Sequence, residues 1–298
     1  MSELLTGATT TVAQGGEPRL GMRGARTGTT VVDVSGVPFG GTGFVVVAGP
    51  CAIESPSQLE AVAHAVAGQG ANMLRGGVYK PRTSPYAFQG LGDPAALMLR
   101  DAGRRHRMPV VAEVMECAQV AMLAEHTDLL QVGARNMQNF SLLKELGMVR
   151  RPVLLKRGFA NTVQEWLLAA EYVLAGGNPN VILCERGIRT FESETRFTLD
   201  LASVAVVKRR SHLPVIVDPS HATGDRDLVV PMALAAAAAG ADGLLVEVHT
   251  DPDHALCDGP QALTPPMFAD LMTRLRAVVA ACGRSVVPTM SRTVLEHA

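Results

Sequence analysis

The sequence is poor in aromatic side chains and in charge of either sign. Only 4% of its 298 residues are aromatic and 18% are charged, with 27 basic side chains against 28 acidic ones. The net charge of −1 creates no basic field that would attract nucleic acid or a membrane surface. A hydrophobic fraction of 47% is typical of globular proteins. We therefore expect a folded globular protein that binds neither nucleic acid nor membrane.

Long apolar runs and cysteine pairs are also missing. No run approaches the roughly 20 residues that a membrane-spanning helix needs, and residues 1–24 lack the basic start and apolar stretch of a signal peptide. The five cysteines, at positions 51, 117, 184, 257 and 282, are odd in number and form no Cys-x-x-Cys pair. Scattered thiols fit a reducing compartment better than a disulfide framework. These absences predict a cytoplasmic protein.

Short apolar runs alternate with helix-like stretches over most of the chain. The runs are continuously apolar, which is typical of parallel strands buried on both faces. A spacing of roughly 28 residues corresponds to one βα unit, and eight units in about 240 residues predict an α/β fold of the (β/α)8, or TIM-barrel, type. The eight candidate strands are Phe44–Val47, Met73–Leu74, Val110–Ala112, Leu129–Val132, Val153–Leu155, Val181–Leu183, Val215–Val217 and Gly243–Val246.

A doubly wound open sheet is the alternative architecture. It would be expected to have six or fewer units and a Gly-x-Gly-x-x-Gly fingerprint after the first strand, and this sequence has no such fingerprint. We therefore expect a barrel over residues 43–285 with a short N-terminal extension and a C-terminal tail, 286–298. The extension, residues 1–42, could form a short hairpin near Thr30–Val34, before Pro38, or pack loosely.

Polar side chains follow nearly every predicted strand at its C-terminal end. In a TIM barrel these ends meet at one mouth and build the active site. So many charged or metal-competent groups at one rim indicate catalysis. In chain order they are Cys51, Arg75, Lys80, Arg82, Thr83, Ser84, Glu113, Arg135, Lys156, Arg157, Glu185, Arg186, Asp218, His221, Glu247 and Asp258.

Four of these side chains have the chemistry of a metal site. Cys51, His221, Glu247 and Asp258 offer one sulfur, one imidazole and two carboxylates. Mixed donors of this kind suit Mn²⁺, Co²⁺, Fe²⁺ or Zn²⁺, whereas a thiolate would be unusual for Mg²⁺ or Ca²⁺. Each residue alone has a plain structural explanation, such as a small buried thiol. Because strands 1, 7 and 8 are neighbours in a closed barrel, the set favours one shared site.

Six cations gather at the same predicted mouth, although the chain has almost no net charge. Guanidinium groups bind phosphate and carboxylate bidentately, so the cluster predicts an anion site able to serve two phosphorylated substrates. Some of these cations could instead pair with neighbouring carboxylates. Lys156 could alternatively be the Schiff-base lysine of an aldolase. The six are Arg75, Lys80, Arg82, Arg135, Lys156 and Arg186.

Long motifs around these residues resemble those of one enzyme family. They read GPCAIES, LRGGVYKPRTSPYAFQGLG, QVGARNMQNF, VLLKRGF, NVILCERGIRTFES, VIVDPSHATG and EVHTDPDHALCDGPQALTP. They are similar to motifs of the 3-deoxy-D-arabino-heptulosonate-7-phosphate (DAHP) synthases, more narrowly the type I beta subgroup, whose relatives include the 3-deoxy-D-manno-octulosonate-8-phosphate (KDO8P) synthases. The resemblance spans about residues 43–275. It implies a TIM barrel that condenses phosphoenolpyruvate with D-erythrose 4-phosphate in the shikimate pathway.

The resemblance also implies a role for each matching position. The implied metal ligands are Cys51, His221, Glu247 and Asp258, with Mn²⁺ as the expected ion, and Asp258 would also touch substrate. The implied phosphoenolpyruvate site comprises Arg75, Lys80, Arg135, Lys156 and Arg186, with Glu113 holding a water. The aldose phosphate would be held by Arg82, Thr83 and Ser84. The implied catalytic groups are Lys80, Glu113, Cys51 and His221.

Substrate length and regulation are read from smaller features. The loop KPRTS is one residue shorter than the KANRTS typical of the octulosonate relatives, which favours erythrose 4-phosphate over the five-carbon arabinose 5-phosphate. A KDO8P-like activity and an inactive regulatory barrel remain alternatives.

Residues 1–42 are too short for a regulatory domain or a fused chorismate mutase, so we expect no built-in feedback control. We expect a homo-oligomer, dimer or tetramer, with a separate chorismate mutase as a possible partner. Phe197 stands where relatives usually have Asn, and nothing in the sequence explains it.

Overall fold

The eight apolar runs form a closed parallel barrel. The computed structural model describes residues 16–24, 26–82 and 84–289. Strands β3 to β10 pair in chain order, and β10 also pairs with β3, with Gly243 opposite Val45 and Glu247 opposite Gly49. The predicted TIM barrel is therefore confirmed. The strands are β1 (Val32–Val34), β2 (Val37–Phe39), β3 (Gly43–Gly49), β4 (Met73–Arg75), β5 (Val110–Val114), β6 (Leu129–Val132), β7 (Val153–Lys156), β8 (Val181–Glu185), β9 (Val215–Val217), β10 (Gly243–Glu247) and β11 (Ser285–Val286).

Helices cover the outside of the barrel, and most of them begin where the sequence provides a capping side chain. Ser55 accepts a hydrogen bond from the Gln58 amide, and Thr162 and Glu165 form a reciprocal capping box. The helices are α1 (Pro56–Gly68), α2 (Asp93–His106), α3 (Cys117–His126), α4 (Phe140–Met148), α5 (Val163–Ala175), α6 (Leu201–Arg210), α7 (Pro219–Thr223), α8 (Arg226–Ala238) and α9 (Pro265–Ala281). In the described part of the chain, no helix is long and apolar enough to cross a membrane.

Successive residues of each strand serve two different apolar cores. In β3, Phe44 and Val46 pack outward in the large cluster between barrel and helices. Val45 and Val47 point inward and pack with residues such as Leu245 from the other strands. Burial on both faces explains why the strands read as continuous apolar runs.

The residues before the barrel form a hairpin that closes its N-terminal end. Strands β1 and β2 are antiparallel and joined by Ser35 and Gly36, both with positive φ, as tight hairpin turns require. Val32, Val37 and Phe39 are buried among the inward-facing residues of the barrel. The hairpin thus lies slightly later than Thr30–Val34, and Pro38 is part of its second strand, opposite Asp33.

The chain after α9 returns to the barrel as β11. This short strand pairs with β3 in parallel, outside the closed ring. The amide of Val287 donates to the carbonyl of Phe44 at 2.9 Å. Neither β11 nor the short helix α7 was among the predicted elements, because two to five residues are too few for a recognisable period.

Candidate active site

The C-terminal ends of the barrel strands surround a cavity of about 280 Å³. Most of the predicted site residues meet there, together with one wall formed by the loop that follows β4. The fold therefore brings the predicted cations and the predicted metal ligands to a single mouth. The lining side chains are Lys80, Pro81, Arg82, Ser84, Ala87, Glu113, Arg135, Lys156, Phe159, Arg186, Arg196, His221, Cys257 and Asp258, with the backbone of residues 133 and 134.

Four side chains at the base of the cavity form a candidate metal centre. One donor atom from each of Cys51, His221, Glu247 and Asp258 lies within 4.8 Å of the other three. Cys51 Sγ is 3.1 Å from Asp258 Oδ2, and His221 Nε2 is 3.3 Å from Glu247 Oε1. Cys51 and Glu247 are buried, whereas His221 and Asp258 are partly open to the cavity. The geometry fits one ion shared by all four.

Asp218 fixes the orientation of His221. Its side chain caps α7 by accepting from the His221 amide at 2.9 Å, and its Oδ2 is 2.7 Å from His221 Nδ1. A proton on Nδ1 leaves Nε2 as the free lone pair that faces Glu247. Burial alone would raise the pKa of Asp218, but its contacts with His221 and Lys156 outweigh burial and hold that pKa well below its usual range.

Glu247 is held in the same way from two sides. Arg75 Nη1 donates to its Oε1 at 2.6 Å, and Gln261 Nε2 donates to its Oε2 at 2.6 Å. Burial would raise the pKa of Glu247, but His221 and Arg75 lower it. The carboxylate therefore stays ionised although Glu247 is fully buried.

The protonation of the remaining donors suits a cation. Burial lowers the pKa of His221, which favours the neutral imidazole that a metal needs. The hydrogen bond to Cys257 and burial raise the pKa of Cys51 well above its usual value. Lys80, 3.0 Å from Cys51 Sγ, opposes that rise. A divalent ion would supply the positive charge that a Cys51 thiolate requires, so the donor set fits a metal.

Buried cations lie directly above the candidate metal centre. Lys156 Nζ is 2.5 Å from Asp218 Oδ2, and both side chains are buried. Arg186 is 3% exposed and donates from Nη2 to the His221 carbonyl at 3.0 Å. Among the described residues no group accepts from Arg186 Nη1, which is also buried. A buried donor without a protein acceptor can bind one from outside the chain, such as a water or an anion.

Four predicted residues are placed differently from the rest or lie outside the described residues. Arg75 lies beneath the candidate metal centre and does not line the main cavity. Arg157 and Glu185 pair with each other at 3.0 Å, and Arg157 also pairs with Asp200 at 2.8 Å, so they connect the barrel wall to the start of α6. Thr83 lies outside the described residues.

The structure adds side chains that the sequence did not single out as site residues. Arg196 lines the cavity, donates to Gln261 Oε1 at 2.8 Å and lies 3.4 Å from Asp258 Oδ1. Cys257 lies 3.6 Å from Cys51 Sγ and 2.8 Å from Arg82 Nη1. These residues sit in loops without period, so only their closeness in the fold reveals them.

A family model described as the DAHP synthetase I family matches residues 26–280. The chain belongs to this family. The resemblance found in the motifs is therefore confirmed, and the match extends into the N-terminal hairpin.

Two curated relatives with different names are similar to most of this chain. Phospho-2-dehydro-3-deoxyheptonate aldolase of Thermotoga maritima is 49% identical over 257 residues, which are 86% of this chain and 76% of the relative. A 2-dehydro-3-deoxyphosphooctonate aldolase of Magnetococcus marinus is 32% identical over 257 residues, 79% of this chain and 87% of the relative. This member of the DAHP synthetase I family is thus more similar to the heptonate enzyme than to the octonate enzyme.

Solved structures agree with the family assignment. The crystal structure of the Thermotoga maritima phospho-2-dehydro-3-deoxyheptonate aldolase, a DAHP synthase, aligns with a TM-score of 0.88 at 47% identity, over 90% of this chain and 79% of that one. A truncated form of 3-deoxy-D-arabino-heptulosonate 7-phosphate synthase from the same organism aligns with a TM-score of 0.84 at 44% identity, over 90% and 98% of the two chains.

Proposed function

We propose that the protein is a metal-dependent DAHP synthase. It condenses phosphoenolpyruvate with D-erythrose 4-phosphate and water, giving 3-deoxy-D-arabino-heptulosonate 7-phosphate and inorganic phosphate. The observation that carries this function is the meeting of four metal-competent donors and a cluster of cations at one barrel mouth, in a chain of the DAHP synthetase I family. The names of the heptonate relatives support the same reaction.

Cys51, His221, Glu247 and Asp258 would hold the divalent ion. We propose Mn²⁺, with Co²⁺, Fe²⁺ and Zn²⁺ as alternatives that the same mixed donors accept. When bound there, the ion polarises the aldehyde carbonyl of the aldose as a Lewis acid. Asp218, Arg75 and Gln261 keep the imidazole and the carboxylate aimed at the shared point, as described above.

Phosphoenolpyruvate would occupy the inner half of the cavity. Lys156, Arg186 and Arg135 line it, and Lys80 lies between them and Cys51. Fixing both the phosphate and the carboxylate would hold carbon 3 within reach of the aldehyde carbon, which it attacks. Such orientation can supply several kcal/mol of the barrier. Arg75 would act from beneath, through Glu247.

Lys80 would donate protons, and Glu113 would orient a water. Burial alone would lower the pKa of Lys80, but the neighbouring thiols and carboxylates raise it, so the side chain stays charged and can donate to the aldehyde oxygen or the leaving phosphate. Glu113 lines the cavity, and Gln131 Nε2 donates to its Oε2 at 3.2 Å. It would orient the water that adds to carbon 2, after which the hemiketal phosphate loses phosphate by C–O cleavage.

The aldose phosphate would bind at the outer edge of the cavity. Arg82 and Ser84 line this edge, and the Arg82 guanidinium rests on Cys257 next to the ligand Asp258. The distance from the candidate metal centre to Arg82 would therefore set the number of carbons between aldehyde and phosphate. We propose four carbons, because the KPRTS loop is short.

Two other functions have less support. A Schiff-base aldolase needs a free amine, but Lys156 Nζ is in a buried ion pair with Asp218. An inactive barrel would be expected to lack ligands, whereas all four donors converge.

We also propose the setting in which the enzyme works. In the described part of the chain all five cysteines are free, which fits a reducing cytoplasm. A homo-oligomer, dimer or tetramer, and a separate chorismate mutase as partner are further proposals. Sedimentation of the purified protein, alone and with a chorismate mutase, would test both.

One assay tests the reaction, its metal and its substrate length together. Phosphate release is measured with phosphoenolpyruvate and either erythrose 4-phosphate or arabinose 5-phosphate, with and without excess EDTA. We expect release with erythrose 4-phosphate that EDTA abolishes and Mn²⁺ restores, and much slower release with the five-carbon sugar. A faster reaction with arabinose 5-phosphate would indicate the octulosonate activity instead. Release that persists in EDTA from protein containing no metal would contradict the metal centre.

A further inference from the structure

Two phenylalanines form a stacked pair at the wall of the cavity. Phe159 follows β7 and Phe197 precedes α6, and their ring centroids are 5.0 Å apart with an interplanar angle of 10°. Both side chains are half-buried, and Phe159 lines the cavity. Offset stacking of this kind keeps two rings in one fixed orientation. The pair therefore presents a rigid aromatic surface in a chain with few aromatic residues.

Arg186 lies against this surface. Its guanidinium carbon is 4.0 Å from the centroid of Phe197 and 4.9 Å from that of Phe159, well within cation–π range. Burial lowers the pKa of Arg186 to about 10, so the group is still charged at neutral pH. Among the described residues Arg186 forms no salt bridge. Asp218 nevertheless lies close enough for its negative charge to raise the pKa of Arg186 and favour the charged guanidinium. The guanidinium plane is thus fixed by the two rings together with the hydrogen bond from Nη2 to the His221 carbonyl.

An aromatic surface holds an arginine differently from a carboxylate. A carboxylate would accept from the N–H donors and neutralise the charge, which would compete with an incoming anion. A ring face attracts the cation but leaves the donors at its edge free, as the buried Arg186 Nη1 is. Arg135 and Arg189 each approach Phe159 at 5.5 Å, and Arg196 approaches Phe197 at 5.9 Å. The negative ring faces offset part of the repulsion among Arg186 and these three cations.

We propose that Phe197, stacked on Phe159, is a positioning residue that holds Arg186 ready to bind the phosphate or carboxylate of phosphoenolpyruvate. This inference rests on the proposed function. Phe197 acts through Arg186 and does not line the main cavity itself. Replacing Phe197 should therefore weaken the binding of phosphoenolpyruvate. It should leave the binding of the aldose phosphate, which Arg82 holds at the other end, unchanged.

Three variants of the same loop test the proposal. Phe197→Leu removes the ring, Phe197→Tyr keeps it, and Phe191→Leu is the matched control, since Phe191 is fully exposed. Steady-state kinetics are measured for both substrates, and phosphoenolpyruvate binding to the Mn²⁺-loaded protein is measured by calorimetry. For Phe197→Leu we expect KM and Kd for phosphoenolpyruvate to rise about 3- to 30-fold, as loss of a cation–π contact predicts. KM for erythrose 4-phosphate should change less than about twofold, and the other two variants should resemble the parent.

A double-mutant cycle shows whether Phe197 acts through Arg186. In an Arg186→Lys background, Phe197→Leu should raise Kd for phosphoenolpyruvate by less than half of its effect in the parent. An equal rise in both backgrounds, or a rise in KM for both substrates together, would overturn the proposal. Unchanged phosphoenolpyruvate binding in Phe197→Leu would also overturn it, while the proposed function would stand if the parent still releases phosphate. A parent protein with no phosphate release would refute the proposed function itself.

Discussion

Replacing Asp218 by Asn should weaken metal binding at the candidate metal centre and also lower the free energy of unfolding. Asp218 is fully buried and contacts His221 Nδ1 at 2.7 Å and Lys156 Nζ at 2.5 Å. Asn keeps the size and one acceptor oxygen but removes the charge. The imidazole of His221 then loses the partner that fixes its tautomer, and Lys156 loses its counter-ion.

Two magnitudes follow from these contacts. Loss of the group that orients a metal-binding histidine costs about 10- to 100-fold in metal affinity. Breaking a buried ion pair costs on the order of 3–5 kcal/mol of unfolding free energy. Because the pKa of Asp218 is depressed, its stabilisation is complete above the ordinary carboxyl pKa of about 3.9 and is lost as the pH falls below that value. The difference in unfolding free energy between the parent and the variant should therefore narrow by about 1 kcal/mol as the pH falls from 5 to 3.

The assay compares metal titrations and urea unfolding of the parent and variant proteins. Asp251→Asn is the matched control, because Asp251 and His254 form the same i,i+3 pair at 2.9 Å on the exposed surface. That control should change unfolding by less than about 0.5 kcal/mol. Equal metal affinity in the parent and in Asp218→Asn would refute the claim that Asp218 orients the ligand. A stability difference that stays constant from pH 5 to pH 3 would refute the charge argument.

Three further predictions concern the metal centre, the aldose site and the hairpin. Cys51→Ala should lower bound metal and turnover together, since one of four donors is lost; normal metal content by mass spectrometry would contradict this. Arg82→Ala should raise KM for erythrose 4-phosphate about 10- to 100-fold and leave KM for phosphoenolpyruvate unchanged; the reverse pattern would mean that the two anion sites are exchanged. Phe39→Ala should cost about 3–5 kcal/mol in urea unfolding, whereas Val31→Ala, half-exposed, should cost almost nothing; equal costs would show that the hairpin does not support the barrel.

The barrel could be predicted from the sequence because its signal is repetitive. The barrel strands are largely buried on both faces and read as apolar runs, and most helices carry a recognisable start, such as Thr162 before α5. The hairpin was harder to locate, since β1 and β2 are three residues each and their burial depends on a barrel completed much later in the chain.

The candidate metal ligands could be predicted because each follows a strand or lies in a long motif. For the other polar residues near strand ends, charge alone could not predict which side chains face the active site. Glu185 ends β8 and Arg157 follows β7, yet their side chains bond to each other, and Glu185 also accepts from Ser203 of α6. Phe197 had no explanation in the sequence, because its partners Phe159 and Arg186 belong to separate loops.

The hairpin that closes the barrel leaves the ribosome before any strand it closes. Its side chains Val32, Val34 and Phe39 pack against residues from Val45 to Leu245, so their binding surface is incomplete until β10 has been synthesised. Apolar groups that wait for distant partners are exposed to aggregation and to chaperones during that time. A nascent chain arrested before Leu245 therefore exposes Val32, Val34 and Phe39, the side chains that close the N-terminal end of the barrel in the folded protein.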